Sequence, residues 1–122
     1  MTPEEQLIQR YFDAFNRHDT DGVMACFHEE PTLVHADGKL LAGRQEVRHS
    51  YETEFAMSPD VRCDLRMCTG NSGHGVAESL ARGTRAKDGK VFEAIGAEVM
   101  EIVDGRIKEI RDYHQPVAAK AA

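Results

Sequence analysis

The sequence predicts an α+β fold in which N-terminal helices pack on one face of a curled antiparallel β-sheet. In the first half of the chain, apolar residues recur with the period of a helix, as in Leu7, Tyr11 and Phe15. From Val61 onwards the apolar period changes to two, which is typical of half-buried strands. Asp104 and Gly105 separate two runs of β-forming residues, and this dipeptide is a strong signal for a tight hairpin. Helices followed by antiparallel strands are the order expected of an α+β domain.

Three helices are predicted in the N-terminal half. Thr2 caps the first, Pro3 suits its first position, and Glu5 completes a capping box. Asp19 caps a short second helix that carries Val23, Met24 and Phe27. The third helix opens at Gly43 and ends before Pro59, with one apolar stripe formed by Val47, Tyr51 and Phe55.

Four or five strands are predicted around these helices. A short extended piece at 31–35 precedes a turn at Asp37 and Gly38. Later strands cover 61–67, 76–85, 91–103 and 106–114, with a loop at 70–75 and a turn at 87–90. A curled sheet closed by helices forms a cone with a pocket at its wide end. We therefore expect one domain at 1–115 and a loose C-terminal tail at 116–122.

Composition excludes several classes of protein. The 122 residues are 41% hydrophobic and 30% charged, as in an ordinary globular domain. A net charge of -6 without a basic stripe argues against nucleic acid as a partner. The chain has no apolar run of the roughly 20 residues that span a bilayer and no secretion signal at its start, so no membrane partner is expected. Three cysteines without paired spacing indicate a reduced cytoplasmic protein.

The outer face of the predicted sheet is partly apolar. Ile95, Ala97 and Val99 alternate with Glu98, so they point away from the helices. An apolar outer face needs a cover, and a second copy of the chain is the simplest one. We therefore predict a homodimer through this face.

Three ionisable residues lie in phase with apolar neighbours on the last two strands. Glu98 shares its phase with Phe92 and Met100, and Asp112 and His114 share theirs with Ile110. A carboxylate on an apolar face is costly unless it is paired or protonated. These residues are therefore candidates for chemistry.

Two segments of the chain resemble a known superfamily. They are Gln9-Arg10-Tyr11 with Asn16, Asp19-Thr20-Asp21-Gly22 and Phe27, and the closing Gly105-Arg106-Ile107-Lys108 with Arg111-Asp112-Tyr113. The first resembles the opening of ketosteroid isomerase and the second the last strand of limonene-epoxide hydrolase. Both belong to the nuclear transport factor 2-like superfamily, with the SnoaL-like polyketide cyclases. The resemblance implies the cone-shaped, cystatin-like barrel of that superfamily.

The resemblance also implies roles for single residues. Tyr11 falls at the oxyanion-hole tyrosine of ketosteroid isomerase, and Glu98 at its second oxyanion donor, a protonated acid. The position of the base holds His35, with Asp37 two residues on. Asp112 matches one catalytic acid of the epoxide hydrolase, but Ser79 and Ala81 stand where that enzyme has its arginine and second aspartate. The resemblance to the SnoaL-like cyclases implies that Asp112 or His35 accepts the proton that is removed from the substrate.

The predicted function is general acid/base catalysis on a small hydrophobic carbonyl compound, by isomerisation or cyclisation through an enolate and without a cofactor or metal. The catalytic set is Tyr11, His35, Glu98 and Asp112. The substrate-binding set is Phe15, Asp37, Tyr51, Met67, Met100 and His114. The sequence leaves the base open among His35, Asp37 and Asp112.

The sequence is also consistent with other functions and with structural roles for the same residues. The domain could be a non-catalytic ligand carrier or a dimeric interaction module, and epoxide hydrolysis is a weaker alternative. Glu98 could pair with Arg82, and Asp112 with Arg111, Arg10 or His114, as structural ion pairs. His35, Asp37, Glu98 and His114 could be assembled into a metal site, although no ligand-spacing motif is present. No specific role is predicted for the four remaining histidines, which are His18, His28, His49 and His74.

Overall fold

The three predicted helices are present in the computed structural model, which describes residues 1–118, but the second ends at Ala25, so Phe27, expected on it, begins a strand instead. They are α1 (Pro3–Asn16), α2 (Thr20–Ala25) and α3 (Arg44–Met57). The capping box of α1 is formed: the Glu5 backbone N–H donates to Thr2 Oγ1 at 3.1 Å, and the Thr2 N–H donates to Glu5 Oε1 at 3.0 Å. Asp19 Oδ1 caps α2 by accepting from the Gly22 N–H at 2.9 Å. Within the described residues, no helix is both long and apolar enough to cross a membrane.

Within residues 1–118, six strands form one curved, unclosed sheet, so the predicted four or five strands were too few. The strands are β1 (Phe27–Val34), β2 (Leu40–Ala42), β3 (Arg62–Asn71), β4 (His74–Thr84), β5 (Val91–Val103) and β6 (Arg106–Pro116). Their order across the sheet is β2-β1-β6-β5-β4-β3. All neighbours are antiparallel except β1 and β6, which are parallel. No hairpin joins β1 to β6, so no turn dictates their relative direction.

Two tight turns join the long strands. Asp104 and Gly105 connect β5 to β6 with φ of 53° and 73°, the left-handed conformations that a two-residue hairpin requires. Ser72 and Gly73 do the same between β3 and β4 with φ of 54° and 80°. The segment 70–75, expected to be a loop, is therefore mostly strand.

The core lies between the concave face of the sheet and the helices. Helix α1 packs on β3 and β4, and α3 packs on β1. The largest fully buried side chains include Ile8, Phe12, Met24, Phe27, Val47, Met100, Ile107 and Ile110. The predicted tail begins inside an element, since β6 runs to Pro116 and the Val117 N–H donates to the Glu93 carbonyl at 2.9 Å. Residues 119–122 of that tail lie outside the described residues.

The register of β4, β5 and β6 places the predicted site residues in two adjacent rows. Glu98 is opposite Ala77 on one side and Asp112 on the other. In the next row, Gly96 lies between Ser79 and His114. Because directly opposite residues share a face, both rows point towards the helices.

Candidate active site

A cavity of about 230 Å³ lies between the concave face of the sheet and helices α1 and α3. Tyr11, His35, Glu98 and Asp112, predicted from widely separated positions, all line it. Its other lining residues are Phe12, Phe15, Leu33, Ser50, Tyr51, Glu54, Cys63, Ala81, Phe92, Ala94, Ile110 and His114. A more open cavity of about 730 Å³ adjoins it and shares His35, Ser50, Glu54, Phe92 and Asp112 with it.

Tyr11 and Tyr51 form the aromatic wall of the cavity together with Phe15. The two hydroxyl oxygens are 2.5 Å apart, and both side chains are buried. The ring centroids of Phe15 lie 6.4 Å from Tyr11 and 6.2 Å from Tyr51. Burial raises the pKa of both phenols well above the usual value, so both remain neutral hydrogen-bond donors.

Glu98 is only 6% exposed and interacts with Ser79 on the neighbouring strand. Ser79 Oγ lies 2.9 Å from Oε1 and 3.0 Å from Oε2 of the carboxyl group. Burial raises the pKa of Glu98 to about 7, although the charge of His114 and the Ser79 hydroxyl act in the opposite direction. The alternative pairing with Arg82 is wrong, because Arg82 is exposed and pairs with Asp64.

Asp112 and His114 form a close pair on β6. His114 Nδ1 lies 2.5 Å from Asp112 Oδ1, and the His114 side chain is 9% exposed. Burial lowers the pKa of His114, but the hydrogen bond and charge of Asp112 outweigh it, so this pKa lies above its usual value. Of the three partners considered for Asp112, the structure therefore selects His114.

Ser79, for which no role was predicted, connects Glu98 to the Asp112–His114 pair. Its Oγ lies 2.9 Å from His114 Nε2 as well as within hydrogen-bond distance of Glu98. Asp112, His114 and Ser79 thus follow one another as in the catalytic triad of a serine hydrolase. Ser79 is fully buried and does not line the cavity, so no acyl group can reach its hydroxyl. A nucleophilic role is therefore excluded.

Glu54 on α3 is a cavity residue that sequence reasoning missed. Glu54 is exposed and lines both cavities, so its side chain lies at the opening between them. Partial loss of solvent around the carboxyl group, and then the charge of Asp112, raise its pKa above the usual value. Its position could have been predicted from the spacing, because a residue three positions after Tyr51 lies on the same face of a helix.

His35 lies just beyond the end of β1 and lines both cavities. Its Nε2 is 3.1 Å from Ser50 Oγ on α3, and its backbone N–H donates to the Lys39 carbonyl at 2.9 Å. The imidazole therefore sits where the inner cavity opens into the outer one.

Three predicted site residues do not contact the cavity. Asp37 is exposed in a turn, where its Oδ1 accepts from the Lys39 N–H at 2.9 Å. Met67 is 59% exposed because the β3–β4 register shifts between Leu65 and Met67, which moves the following side chains to the other face. Met100 points inwards as predicted but is fully buried in the core, away from the cavity lining.

Two of the four remaining histidines, His18 and His49, lie on or near the helices that flank the cavities. The His18 ring stacks on Phe55 with centroids 4.4 Å apart, and its Nε2 lies 2.7 Å from the Val61 carbonyl oxygen. His49 lines the outer cavity. The first role is structural, and neither histidine reaches the inner cavity.

One group of side chains has the composition of a metal site. Ligand atoms of Cys63, Glu98 and His114 lie within 4.8 Å of one another. The hydroxyl of Ser79 is within hydrogen-bond distance of all three residues and occupies the space among them. Burial also raises the pKa of the Cys63 thiol, which disfavours the thiolate that binds metal. This donor set fits a hydrogen-bonded cluster better than a metal. His35 and Asp37, the other ligands considered, do not belong to it.

Comparison with known proteins agrees with this architecture. The family model of a SnoaL-like domain matches residues 8–110. The chain belongs to the SnoaL-like family. No curated protein matches this SnoaL-like chain.

Solved structures confirm the fold of this SnoaL-like protein. A protein of Catenulispora acidiphila with a ketosteroid isomerase-like fold, in complex with trimethylamine, has a TM-score of 0.82 and 19% identity over 93% of this chain and 86% of its own. A protein of Xanthomonas campestris, provisionally named a polyketide cyclase, has a TM-score of 0.77 and 24% identity over 89% and 87%. AclR of Streptomyces galilaeus, provisionally a hydroxylase, has a TM-score of 0.77 and 14% identity over 90% and 77%. Proteins that share this fold are thus named for different activities, so the fold alone does not identify the reaction.

Proposed function

We propose that this SnoaL-like protein is a cofactor-free general acid/base enzyme that isomerises or cyclises a small hydrophobic carbonyl compound through an enolate. One observation carries the proposal: Glu98, a buried carboxyl group with a pKa of about 7, lines the same aromatic-walled cavity as Asp112 and the Tyr11–Tyr51 hydroxyl pair. A carboxylic acid that stays protonated near neutral pH can donate a hydrogen bond to a developing oxyanion.

In this proposal, Tyr11 and protonated Glu98 hold the carbonyl oxygen. A base removes a proton from the adjacent carbon, and the C–H electron pair moves into the enolate, whose charge the two donors stabilise. The base then returns the proton to another carbon or to the oxygen. A positioned base contributes about 10²–10⁴-fold and one preorganised donor roughly 3 kcal/mol.

Asp112 is the stronger candidate for the base, with His35 as the alternative. Asp112 Oδ1 contacts His114, and within residues 1–118 no hydrogen bond uses Oδ2, which leaves this oxygen for a substrate. His35 lies at the opening of the cavity beside Ser50. Asp37 is excluded from this role because it lies in an exposed turn.

The charges of the cavity disfavour an anionic substrate. Three carboxyl groups line it, those of Glu54, Glu98 and Asp112, and no described lysine or arginine does. A carboxylate or phosphate would meet repulsion there without a cationic partner. The name polyketide cyclase of the Xanthomonas relative supports a carbonyl-rich substrate.

A fluorescent naphthol tests the proposal because its hydroxyl imitates an enolate oxygen. We expect the wild type to bind it between pH 5 and 9, more tightly as pH falls through about 7, since Glu98 is a donor only when protonated. Tyr11→Phe and Glu98→Gln should each weaken binding by roughly 10–100-fold. Asp37→Asn, outside the cavity, is the matched control and should bind as the wild type does. Absence of wild-type binding at every pH would overturn the proposal.

A ligand carrier is the second candidate function, and the pairing of the polar groups favours it. Tyr11 contacts Tyr51, Glu98 contacts Ser79 and Asp112 contacts His114, so each already has a partner. A carrier would bind the naphthol through the aromatic wall alone. Its affinity would then respond to Phe15→Ala but not to Glu98→Gln or to pH.

A further inference from the structure

The Ser79 hydroxyl lies between two ionisable groups that come from different strands. Glu98 Oε1 is 2.9 Å away on β5, and His114 Nε2 is 2.9 Å away on β6. The opposite ring nitrogen of His114 contacts Asp112. Glu98 and Asp112, which both line the cavity, are thus joined behind its wall through Ser79 and His114.

Gly96 makes this connection possible. Ser79 and His114 lie on strands that are not neighbours, and β5 runs between them. At the position directly between the two residues, β5 carries Gly96. Because glycine has no side chain, the serine and histidine side chains meet across the middle strand.

Ser79 has one proton and can donate it in only one direction at a time. In the first arrangement, which belongs to the site without substrate, Glu98 is protonated and donates to Ser79 Oγ, and Ser79 donates to the unprotonated Nε2 of neutral His114. In the second, Glu98 is ionised and accepts from Ser79, and Ser79 Oγ accepts from the Nε2–H of the imidazolium. In both, the Nδ1–H of His114 donates to ionised Asp112.

The two arrangements differ by the transfer of one proton. The Glu98 O–H bond breaks as a bond to Ser79 Oγ forms, while the original Ser79 proton moves to His114 Nε2. The net charge of Glu98, His114 and Asp112 is −1 before and after. Every polar atom keeps a hydrogen bond, so neither arrangement leaves a buried group unsatisfied.

We propose that Ser79 is a positioning residue that relays this proton between Glu98 and His114. Glu98 thereby changes from a hydrogen-bond donor to a carboxylate while the proton stays inside the protein. The inference rests on the proposed acid/base function, in which Glu98 faces the substrate. It adds that Glu98 can gain or lose the proton that makes it a donor without water entering the cavity.

The other titratable groups around the relay come from three more elements. Cys63 on β3 lies 3.2 Å from Ser79 Oγ and 3.8 Å from Glu98 Oε2. Glu54 and Tyr51 on α3 and Tyr11 on α1 line the cavity beside Glu98. Among the described residues, none of these groups contacts both Glu98 and His114, so only Ser79 bridges the two.

Carbon-13 NMR of the Glu98 carboxyl group in the unliganded protein tests the relay. The midpoint of its pH titration is measured in wild type, His114→Gln, Ser79→Ala and the double variant. In the presence of Ser79, we expect His114→Gln to raise the Glu98 midpoint by about one pH unit or more, a tenfold change in proton affinity. In the Ser79→Ala background, the same change should have less than about a third of that effect.

Equal effects in both backgrounds would overturn the relay, because charge interactions through space do not need the hydroxyl group. If the Ser79 hydroxyl were only structural, Ser79→Ala would shift the Glu98 midpoint equally in the presence and absence of His114. The effect of His114→Gln would then be unchanged. Cys63→Ala is the matched control, since it removes another contact of Ser79 but keeps the path from Glu98 to His114. Ser79→Cys fills a similar space with a weak donor and gives the same test where alanine impairs folding.

The outcome is separable from that of the naphthol experiment. Loss of coupling in Ser79→Ala, together with no naphthol binding by the wild type, would support the relay and overturn the acid/base function. Naphthol binding that depends on Glu98, together with unchanged coupling in Ser79→Ala, would overturn the relay alone.

Discussion

Glu98 illustrates how one position on a strand sets the protonation of a side chain. It lies among apolar neighbours on the concave face, and its only close polar partners in the described chain are Ser79 and Cys63. Burial raises its pKa from 4.5 to about 7. The folded protein therefore binds this proton more tightly than the unfolded chain does, which links stability to pH.

We expect Glu98 to destabilise the fold progressively as pH rises from about 4.5 to about 7. Below this window the carboxyl group is protonated in both states, and above it the folded state must bury a charge. The difference amounts to at most about 3 kcal/mol. Urea unfolding at pH 5 and pH 8 should show Glu98→Gln gaining stability relative to wild type at the higher pH. Glu52→Gln, on the exposed face of α3, controls for the change in net charge, and parallel curves for wild type and Glu98→Gln would contradict the prediction.

Single residues of the site were predictable where the strand phase was regular. Glu98, Asp112 and His114 stood out because charged groups shared the phase of apolar residues, and all three line the cavity. The prediction that Met67 lines the cavity was wrong because the sequence shows no clear sign of the register shift in β3. Glu54 and Ser79 were missed since their importance comes from neighbours on other elements, which periodicity does not reveal.

At the scale of elements, the path of β5 decides whether the site can form. Glu98 and Gly96 are successive inward positions on this strand. Glu98 supplies the carboxyl group, and Gly96 leaves the space in which the Ser79 and His114 side chains meet. A Cβ atom at Gly96 would lie 2.0 Å from the carbonyl oxygen of Tyr113 and 2.6 Å from the Cα atom of His114. Both neighbours are backbone atoms of β6, which cannot move aside without breaking the β5–β6 ladder.

We therefore expect Gly96→Ala to destabilise the protein by more than about 3 kcal/mol or to prevent folding, as overpacking against backbone does. Gly38→Ala is the matched control. Gly38 has a φ of +88° with open space around it, so alanine there costs only roughly 1–2 kcal/mol of backbone strain. Thermal and urea unfolding of both variants measure the difference. A Gly96→Ala protein as stable as Gly38→Ala would contradict the close approach of β6.

Local sequence signals predict the helices and turns better than they predict the order and direction of the strands in the sheet. The caps of α1 and α2 and the Asp104-Gly105 turn are short-range features, and each lies where the sequence indicates it. The parallel pairing of β1 with β6 joins segments about 80 residues apart in the chain. No local motif encodes such a pairing, and the alternation of apolar residues in either strand fits both directions.

At the scale of the whole molecule, the outer face of the sheet exposes apolar side chains for which no partner has been assigned. Val76 is 41% exposed and Tyr113 is 60% exposed there. Val99 lies opposite Val76 on β4, and Ala97, the next outward position on β5, lies opposite Tyr113 on β6. We expect two copies to pair through this face and bury about 800 Å² each. Light scattering over a range of concentrations should give the mass of a dimer for wild type and of a monomer for Val99→Arg. Gln45→Arg adds the same charge on the exposed surface of α3 and should stay dimeric, because that helix lies on the opposite side of the sheet. A wild type that is monomeric at every concentration would contradict the prediction, and the outer face would then need a different partner.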